Sequence, residues 1–266
     1  MKFHILGQLT ILDNRNERRY ITPGKQRDLI ALLLLQRNRL VPVGRLVEDL
    51  WGFDAPVSAK KNVQTYIWRL RKALNLDEAD RLRHEPPGYL IGVHPGELDL
   101  DAFDAHADAG HRHFQGGRLR EARTELDAAL ALWQDTPLAN TGLNIINCPE
   151  LAQLEENYVA ILELHNDIDL RLGVYADLIA VLRRLTIQYP LRERLRYQLM
   201  AALYRSGRHA EALNVYRDIS TTMRREFGLE PGRSLGWLHQ AILSRSPELD
   251  EQTWLRGDPY RPDRLV

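Results

Sequence analysis

The sequence predicts a mainly α fold with a small β component, built in two parts, and three observations predict it. Charge divides along the chain. Residues 1–94 hold 16 Lys and Arg against 10 Asp and Glu, a net of +6, and the remainder of this neutral chain carries −6. The first 95 residues read as strand, strand, three helices and a hairpin. Beyond them the pattern is continuously helical, with glycines at 117, 173 and 207 in one register.

The first strand is predicted where Phe3, Ile5, Leu9 and Ile11 alternate onto one face. A polar turn, "DNRNERR", follows, and residues 19–22, "RYIT", are placed to return as its partner. Thr22 is the expected N-cap and Pro23 the first residue of a helix carrying Leu29, Leu32, Leu33 and Leu35. Residues 42–52, "PVGRLVEDLWG", give a second helix with Leu46, Val47, Leu50 and Trp51 apolar and Gly52 at its end. Ser58 is expected to cap the third helix. Residues 80–93, "DRLRHEPPGYLIGV", read as strand, Pro-Pro-Gly turn, strand. This order is that of an N-terminal winged helix-turn-helix, in which the third helix enters the DNA major groove and the hairpin wing flanks it.

The third helix suits that task. At about 100° per residue, Val63, Ile67, Leu70 and Leu74 share a narrow core stripe. Lys61, Asn62, Thr65, Trp68, Arg69 and Lys72 fall on the opposite arc, with Lys60 at the start and Arg71 near the boundary. Long cationic donors, an amide and a small hydroxyl are the groups that read base edges and phosphates. Most charged helix faces are merely solvated, but this one carries no acid.

"VQTYIWRLRKAL" followed by "PPGYLI" resembles the OmpR/PhoB-type winged helix. The Pro-Pro-Gly-Tyr wing is closer to one branch, the Streptomyces antibiotic regulatory protein (SARP) family. The resemblance implies base contacts from Lys61, Thr65 and Arg69 and a phosphate contact from Arg71. The residue before the wing's Pro-Pro is often basic in that family and is Glu85 here, which would repel phosphate. Arg81 and Arg83 are the remaining candidates for positive charge near the wing.

In the second half, "GRLREARTELDAAL", "GVYADLIAVLRRL" and "GRHAEALNVYRDI" superimpose from Gly117, Gly173 and Gly207. Five residues after each glycine stand Ala122, Leu178 and Ala212; nine after stand Leu126, Leu182 and Tyr216. The last two glycines are 34 residues apart, the tetratricopeptide period, and Pro190 stands where such a repeat closes. An all-α, tetratricopeptide-like helical-repeat domain is therefore expected over 96–250, after a winged-helix domain over 1–95 that should fold alone. Residues 251–266 would form a flexible tail or a docked strap. "LEENYVAILELHNDIDLRLG", "YPLRERLRYQLMAALYRSGRHAEALNVYRDI" and "EFGLEPGRSLGWLHQAIL" resemble the SARP family's bacterial transcriptional activator domain, so the likeness runs to about residue 250.

Composition bounds the alternatives. Cys148 is the single cysteine, which excludes a disulfide framework and a thiolate metal cluster. The N-terminus lacks the apolar core of a signal peptide, and residues 29–35 are too short a run to span a bilayer. "TPGKQRD" lacks the upstream glycine of a phosphate-binding loop. His111 and His113 are two apart on a helix and point to different faces, so they do not suit one metal. Asp99, Asp101 and Asp104 read as charges at a helix start. Cys148 reads as a buried structural thiol. No nucleophile–base pair stands out, so no enzyme activity and no cofactor are expected.

The reading is a sequence-specific DNA-binding transcriptional activator, soluble, cytoplasmic and nucleoid-associated, with no membrane partner. The resemblance implies direct repeats near a promoter, protomers side by side on that DNA, recruitment of RNA polymerase, and a biosynthetic gene cluster such as one for an antibiotic. A ligand- or partner-controlled repressor of the same architecture, and a helical-repeat adaptor, are the alternatives.

Overall fold

A computed structural model describes residues 1–75 and 81–249; the tail at 251–266 lies outside them. The described chain is mainly helical with five short strands, the expected class. It forms two compact units. The first joins Met1–Arg112 to Thr124–Val159, and the second joins His113–Arg123 to the residues from Ala160 onward. The packing division thus does not fall at residue 95.

The first unit opens with a hairpin where one strand was expected. Strands β1 (Lys2–His4) and β2 (Thr10–Leu12) pair antiparallel, Phe3 opposite Ile11. Ile5, Leu6 and Leu9 between them are buried but leave the ladder, because their polar groups find partners elsewhere. The Ile5 and Leu6 amides donate to the Asp99 carboxylate at 2.9–3.1 Å. The Ile5 and Leu6 carbonyls accept from the Leu138 amide at 3.2 Å and the Gln134 amide at 2.8 Å. The side chain of Asn140 bonds both the amide and the carbonyl of Leu9. Residues 19–22 form no strand either, and only an isolated bridge joins Arg18 to Leu12.

Helix α1 (Lys25–Leu35) starts two residues later than expected. Gly24 stands at its N-cap and its carbonyl accepts the Arg27 and Asp28 amides, so Thr22 and Pro23 lie outside the helix. Leu29 to Leu34 are buried. Asp28, also buried, accepts the Gly142 amide at 2.7 Å, with Lys25 Nζ 3.7 Å away. Helix α2 (Val43–Trp51) buries Leu46 and Leu50 and ends at Gly52 as expected. Helix α3 (Ala59–Leu74) packs against both earlier helices through the stripe read from the sequence: Val63, Ile67, Leu70 and Leu74 are all buried.

The wing forms as expected, with strands β4 (Leu82–Glu85) and β5 (Gly88–Ile91) antiparallel around Pro86–Pro87. The sequence reading missed β3 (Val41–Pro42), which pairs with the other edge of β5. Gly88 makes that pairing possible. A Cβ there would stand 2.0 Å from the Val41 carbonyl oxygen, so no side chain fits.

The helical half comprises α4 (Asp99–Gln115), α5 (Leu119–Ala131), α6 (Pro149–Leu172), α7 (Tyr175–Gln188), α8 (Glu193–Arg205), α9 (His209–Phe227) and α10 (Arg233–Ser244). Gly117, Gly173 and Gly207 occupy the α4–α5, α6–α7 and α8–α9 turns with φ of +72°, +80° and +74°, the left-handed region that glycine enters at least cost. Ala122, Leu178, Ala212, Leu126 and Leu182 are buried and Tyr216 half-buried, in line with the repeat register. In the second unit α8 packs against α7, α9 and α10. Its buried Gln198 donates to the Glu163 carbonyl at 2.7 Å and to Asp167 at 2.5 Å, and accepts from Asn166 at 3.2 Å. A buried amide is tolerated because its hydrogen-bonding groups are met.

Gly88→Ala is expected to destabilise the first unit by about 3 kcal/mol, since overfilling a backbone contact forces β3 and β5 apart. Urea unfolding followed by the far-ultraviolet signal measures it. An unchanged transition would show that the β3–β5 pairing is dispensable.

Candidate nucleic-acid interface

The buried stripe of α3 fixes which arc of the helix faces outward. Lys60, Lys61, Thr65, Trp68, Arg69 and Lys72 are exposed, and Asn62 is half-buried. Α3 contains no Asp or Glu. Among the described residues, the Lys60, Lys61 and Arg69 head groups have no ion-pair partner, so their charge is available to an external anion. Lys72 Nζ sits 5.5 Å over the ring of Trp68, which is 61% exposed. An open indole on a cationic arc offers apolar contact beside charge.

Local bonds orient the smaller side chains. Thr65 Oγ1 donates to the Lys61 carbonyl at 3.0 Å, leaving its lone pairs outward. Ser58 does not cap the helix through its side chain as expected. With φ −83° and ψ 3°, it instead accepts from Asn62 Nδ2 at 3.3 Å, one turn into the helix. Tyr66 stacks on Trp51 of α2 with centroids 6.4 Å apart, which braces the middle of α3 against the preceding helix.

The remaining three predicted cations are held by the protein itself. Arg71 Nε and Nη2 donate to the Leu82 carbonyl at 3.0 and 2.7 Å, tying the last turn of α3 to the wing. Arg81 forms a two-pronged pair with Glu97 at 2.5 and 2.8 Å. Arg83 lies 3.4 Å from Glu85, so the acidic residue before the wing's prolines is neutralised by its neighbour on β4. Lys60, Lys61, Asn62, Thr65, Arg69 and Lys72 therefore gather on one surface, while Arg71, Arg81 and Arg83 brace the wing.

Sequence reasoning passed over Gln64, whose amide is also exposed on α3 and was visible on the same helical wheel. It also passed over Phe53 and Val57, fully exposed in the connection between α2 and α3. Two apolar residues in a short turn were the available signal.

Two family descriptions match the chain. Residues 17–91 match "Transcriptional regulatory protein, C terminal", and residues 98–243 match "Bacterial transcriptional activator domain". Regulatory protein DnrI of Streptomyces peucetius is 36% identical over 260 residues, 94% of each chain. Transcriptional regulator RedD of Streptomyces coelicolor is 33% identical over 269 residues, covering 98% of this chain and 76% of that one. Regulatory protein AfsR of Streptomyces griseus is 40% identical over 227 residues, which is 85% of this chain but 23% of that much longer one. Among solved structures, Mycobacterium tuberculosis EmbR in complex with a low-affinity phosphopeptide superimposes with a TM-score of 0.84 at 30% identity. That match covers 96% of this chain and 69% of EmbR.

The Arg81–Glu97 pair makes the base of the wing sensitive to acid. Burial pushes the Glu97 carboxyl upward. The Arg81 hydrogen bonds, the His94 amide and the N-terminal amine outweigh burial and hold it at about 2, against an ordinary value of 4.5. A carboxylate lowered on folding stabilises the protein above its unfolded value, and that contribution is lost as pH falls from about 4.5 toward 2. Wild-type stability is therefore expected to fall more steeply across this window than that of Glu97→Gln, as read by denaturant titration at stepped pH. Parallel curves would remove Glu97 from the acid response.

Proposed function

Since the chain belongs to the Streptomyces antibiotic regulatory protein family of transcriptional regulators, we propose that it is a DNA-binding activator whose α3 reads the major groove. The observation that carries this reading is the acid-free outward arc of α3, with Lys60, Lys61 and Arg69 unpaired among the described residues. Lys61, Thr65 and Arg69 are spaced by four residues and lie along one line of the helix. Arg69 presents the planar fork that pairs with guanine N7 and O6, and Thr65 offers a hydroxyl and a methyl group. Lys60 and Lys72 take phosphates on either side, with Asn62 beside them. Arg71, Arg81 and Arg83 act at one remove, by holding the wing.

The activating step is assigned to surfaces outside the α3 arc. Phe53 and Val57 present apolar side chains beside the reading helix, and exposed apolar residues of this kind suit a protein contact. The helical half is acidic, which disfavours DNA and suits basic protein surfaces. On this proposal RNA polymerase is the partner, protomers sit side by side on direct repeats, and the regulated genes form a biosynthetic cluster. The protein acts in the cytoplasm at the nucleoid; no helix among the described residues is long and apolar enough to cross a membrane.

Footprinting on the DNA upstream of its gene neighbourhood locates the site, and titration there tests the assignment. Neutralising about six phosphates gives a log–log salt slope near −5. Arg69→Ala is expected to cost about 1–3 kcal/mol on the specific site, less on random DNA, and to leave the unfolding transition in place. Arg71→Ala removes both donors from the Leu82 carbonyl. It should lower stability by about 1–2 kcal/mol and weaken specific and random DNA alike. A salt-independent affinity would remove the DNA reading, and an Arg69→Ala loss equal on both DNAs would remove base readout by Arg69.

A further inference from the structure

We propose that a cavity at the edge of the N-terminal hairpin is a binding site for a small organic anion, a carboxylate or phosphate monoester carried on an apolar body. The cavity lies wholly within the first unit and encloses about 370 Å³, within the range of small-molecule sites. Strand β2, residues 18–21, the first turn of α1 and Asn140 surround it. Leu9, Ile11 and Ile21 close its floor but are themselves buried, so the exposed ring of Tyr20 supplies the apolar surface a ligand can reach.

Three arginines and no carboxylate line this cavity, and their charges are not equivalent. Arg19 is neutralised, with Nη2 2.6 Å from Asp13 Oδ2. Arg27 is held in place by two carbonyl oxygens. Nη1 donates to Asn140 at 3.1 Å and Nη2 to Ile21 at 2.7 Å. Carbonyls fix a guanidinium without cancelling its charge, and among the described residues Arg27 meets no carboxylate. The Arg18 side chain has no partner among the described residues and reaches the same cavity. Tyr20, 72% exposed, stands at the mouth with an aromatic ring and an unbonded phenol.

Two uncompensated guanidinium groups, one rigidly placed, beside the exposed Tyr20 ring match a ligand with an acid group at one end and a hydrocarbon or aromatic portion at the other. Arginine recognises carboxylate and phosphate oxygens by paired, charge-assisted hydrogen bonds. The preset position of Arg27 lowers the ordering cost of binding. A DNA phosphate has the charge but no apolar portion to lie against the Tyr20 ring. The ligand would join α1 to the segment carrying Asn140, so occupancy stabilises the first unit.

Calorimetric titration of the full chain with phenyl phosphate, benzoate and inorganic phosphate tests the site. One equivalent of phenyl phosphate or benzoate is expected to bind with a Kd of about 1 mM or tighter. Inorganic phosphate should bind more weakly, because it has no apolar portion to lie against the Tyr20 ring. Arg18→Gln, on an exposed side chain, should weaken phenyl phosphate about tenfold and leave DNA affinity unchanged, while Lys61→Ala should leave phenyl phosphate binding unchanged. The proposal is overturned if none of the organic anions binds saturably, or if inorganic phosphate binds equally well. It is also overturned if Lys61→Ala abolishes the signal, which would place the anion on α3. A loss of DNA affinity in Arg18→Gln matching the loss of anion affinity would reassign the cavity to the DNA backbone.

Discussion

The first unit is organised around the backbone between Ile5 and Leu9. Apart from the exposed Gln8 this stretch is buried, and among the described residues it has no strand partner, so its amides and carbonyls need acceptors and donors from elsewhere. Asp99 accepts two of the amides, Asn140 bonds Leu9 on both sides, and the Gln134 and Leu138 amides take the two carbonyls. An unmet buried polar group costs about 1–3 kcal/mol, so these bonds together rival the stability of a whole domain. Burial pushes the Asp99 carboxyl above its ordinary range, while the Ile5 and Leu6 amides and the nearby His4 oppose that rise. The carboxylate is kept in a dry place because the backbone there needs it.

The same dependence recurs along the unit. Asp28 of α1 takes the Gly142 amide, Gln36 donates to Glu150 at 2.9 Å, and Arg45 of α2 also pairs with Glu150. Trp133 stacks on Tyr158 at 4.0 Å and meets Phe103 at 5.8 Å. Helices α1 and α2 are the support on which the buried stripe of α3 rests. The segment after residue 95 thus fixes the helices that in turn fix the outward arc. A surface of lysines and an arginine without ion-pair partners among the described residues repels itself, so its geometry has to be imposed by the elements beneath it.

How much of this was legible in the sequence follows from the range of each interaction. The stripe of α3 and the repeat glycines are local periodicities, and Val63, Ile67, Leu70, Leu74, Gly117, Gly173 and Gly207 all stand where spacing put them. The hairpin at residues 2–12 was not legible. Phe3, Ile5, Leu9 and Ile11 alternate onto one face across the whole stretch, and the groups that pull residues 5–9 out of a ladder lie about 90 and 130 positions away. Β3 was hidden for a similar reason, since two residues carry no period. On α3 the wheel gave the direction of each side chain but not its partner. Lys61, Thr65 and Arg69 are exposed, as the wheel directs them, whereas Arg71 and Arg81 are engaged by Leu82 and Glu97.

Asp99 and the segment 133–142 tie down the backbone of Ile5 to Leu9, and the fold of residues 1–95 is expected to depend on that clamp. The most direct test is to compare urea unfolding of two fragments, residues 1–95 and residues 1–159. A cooperative transition is expected for 1–159 and none for 1–95, in which the backbone of Ile5 to Leu9 has lost its partners. A cooperative transition for 1–95 with the same midpoint as 1–159 would contradict it.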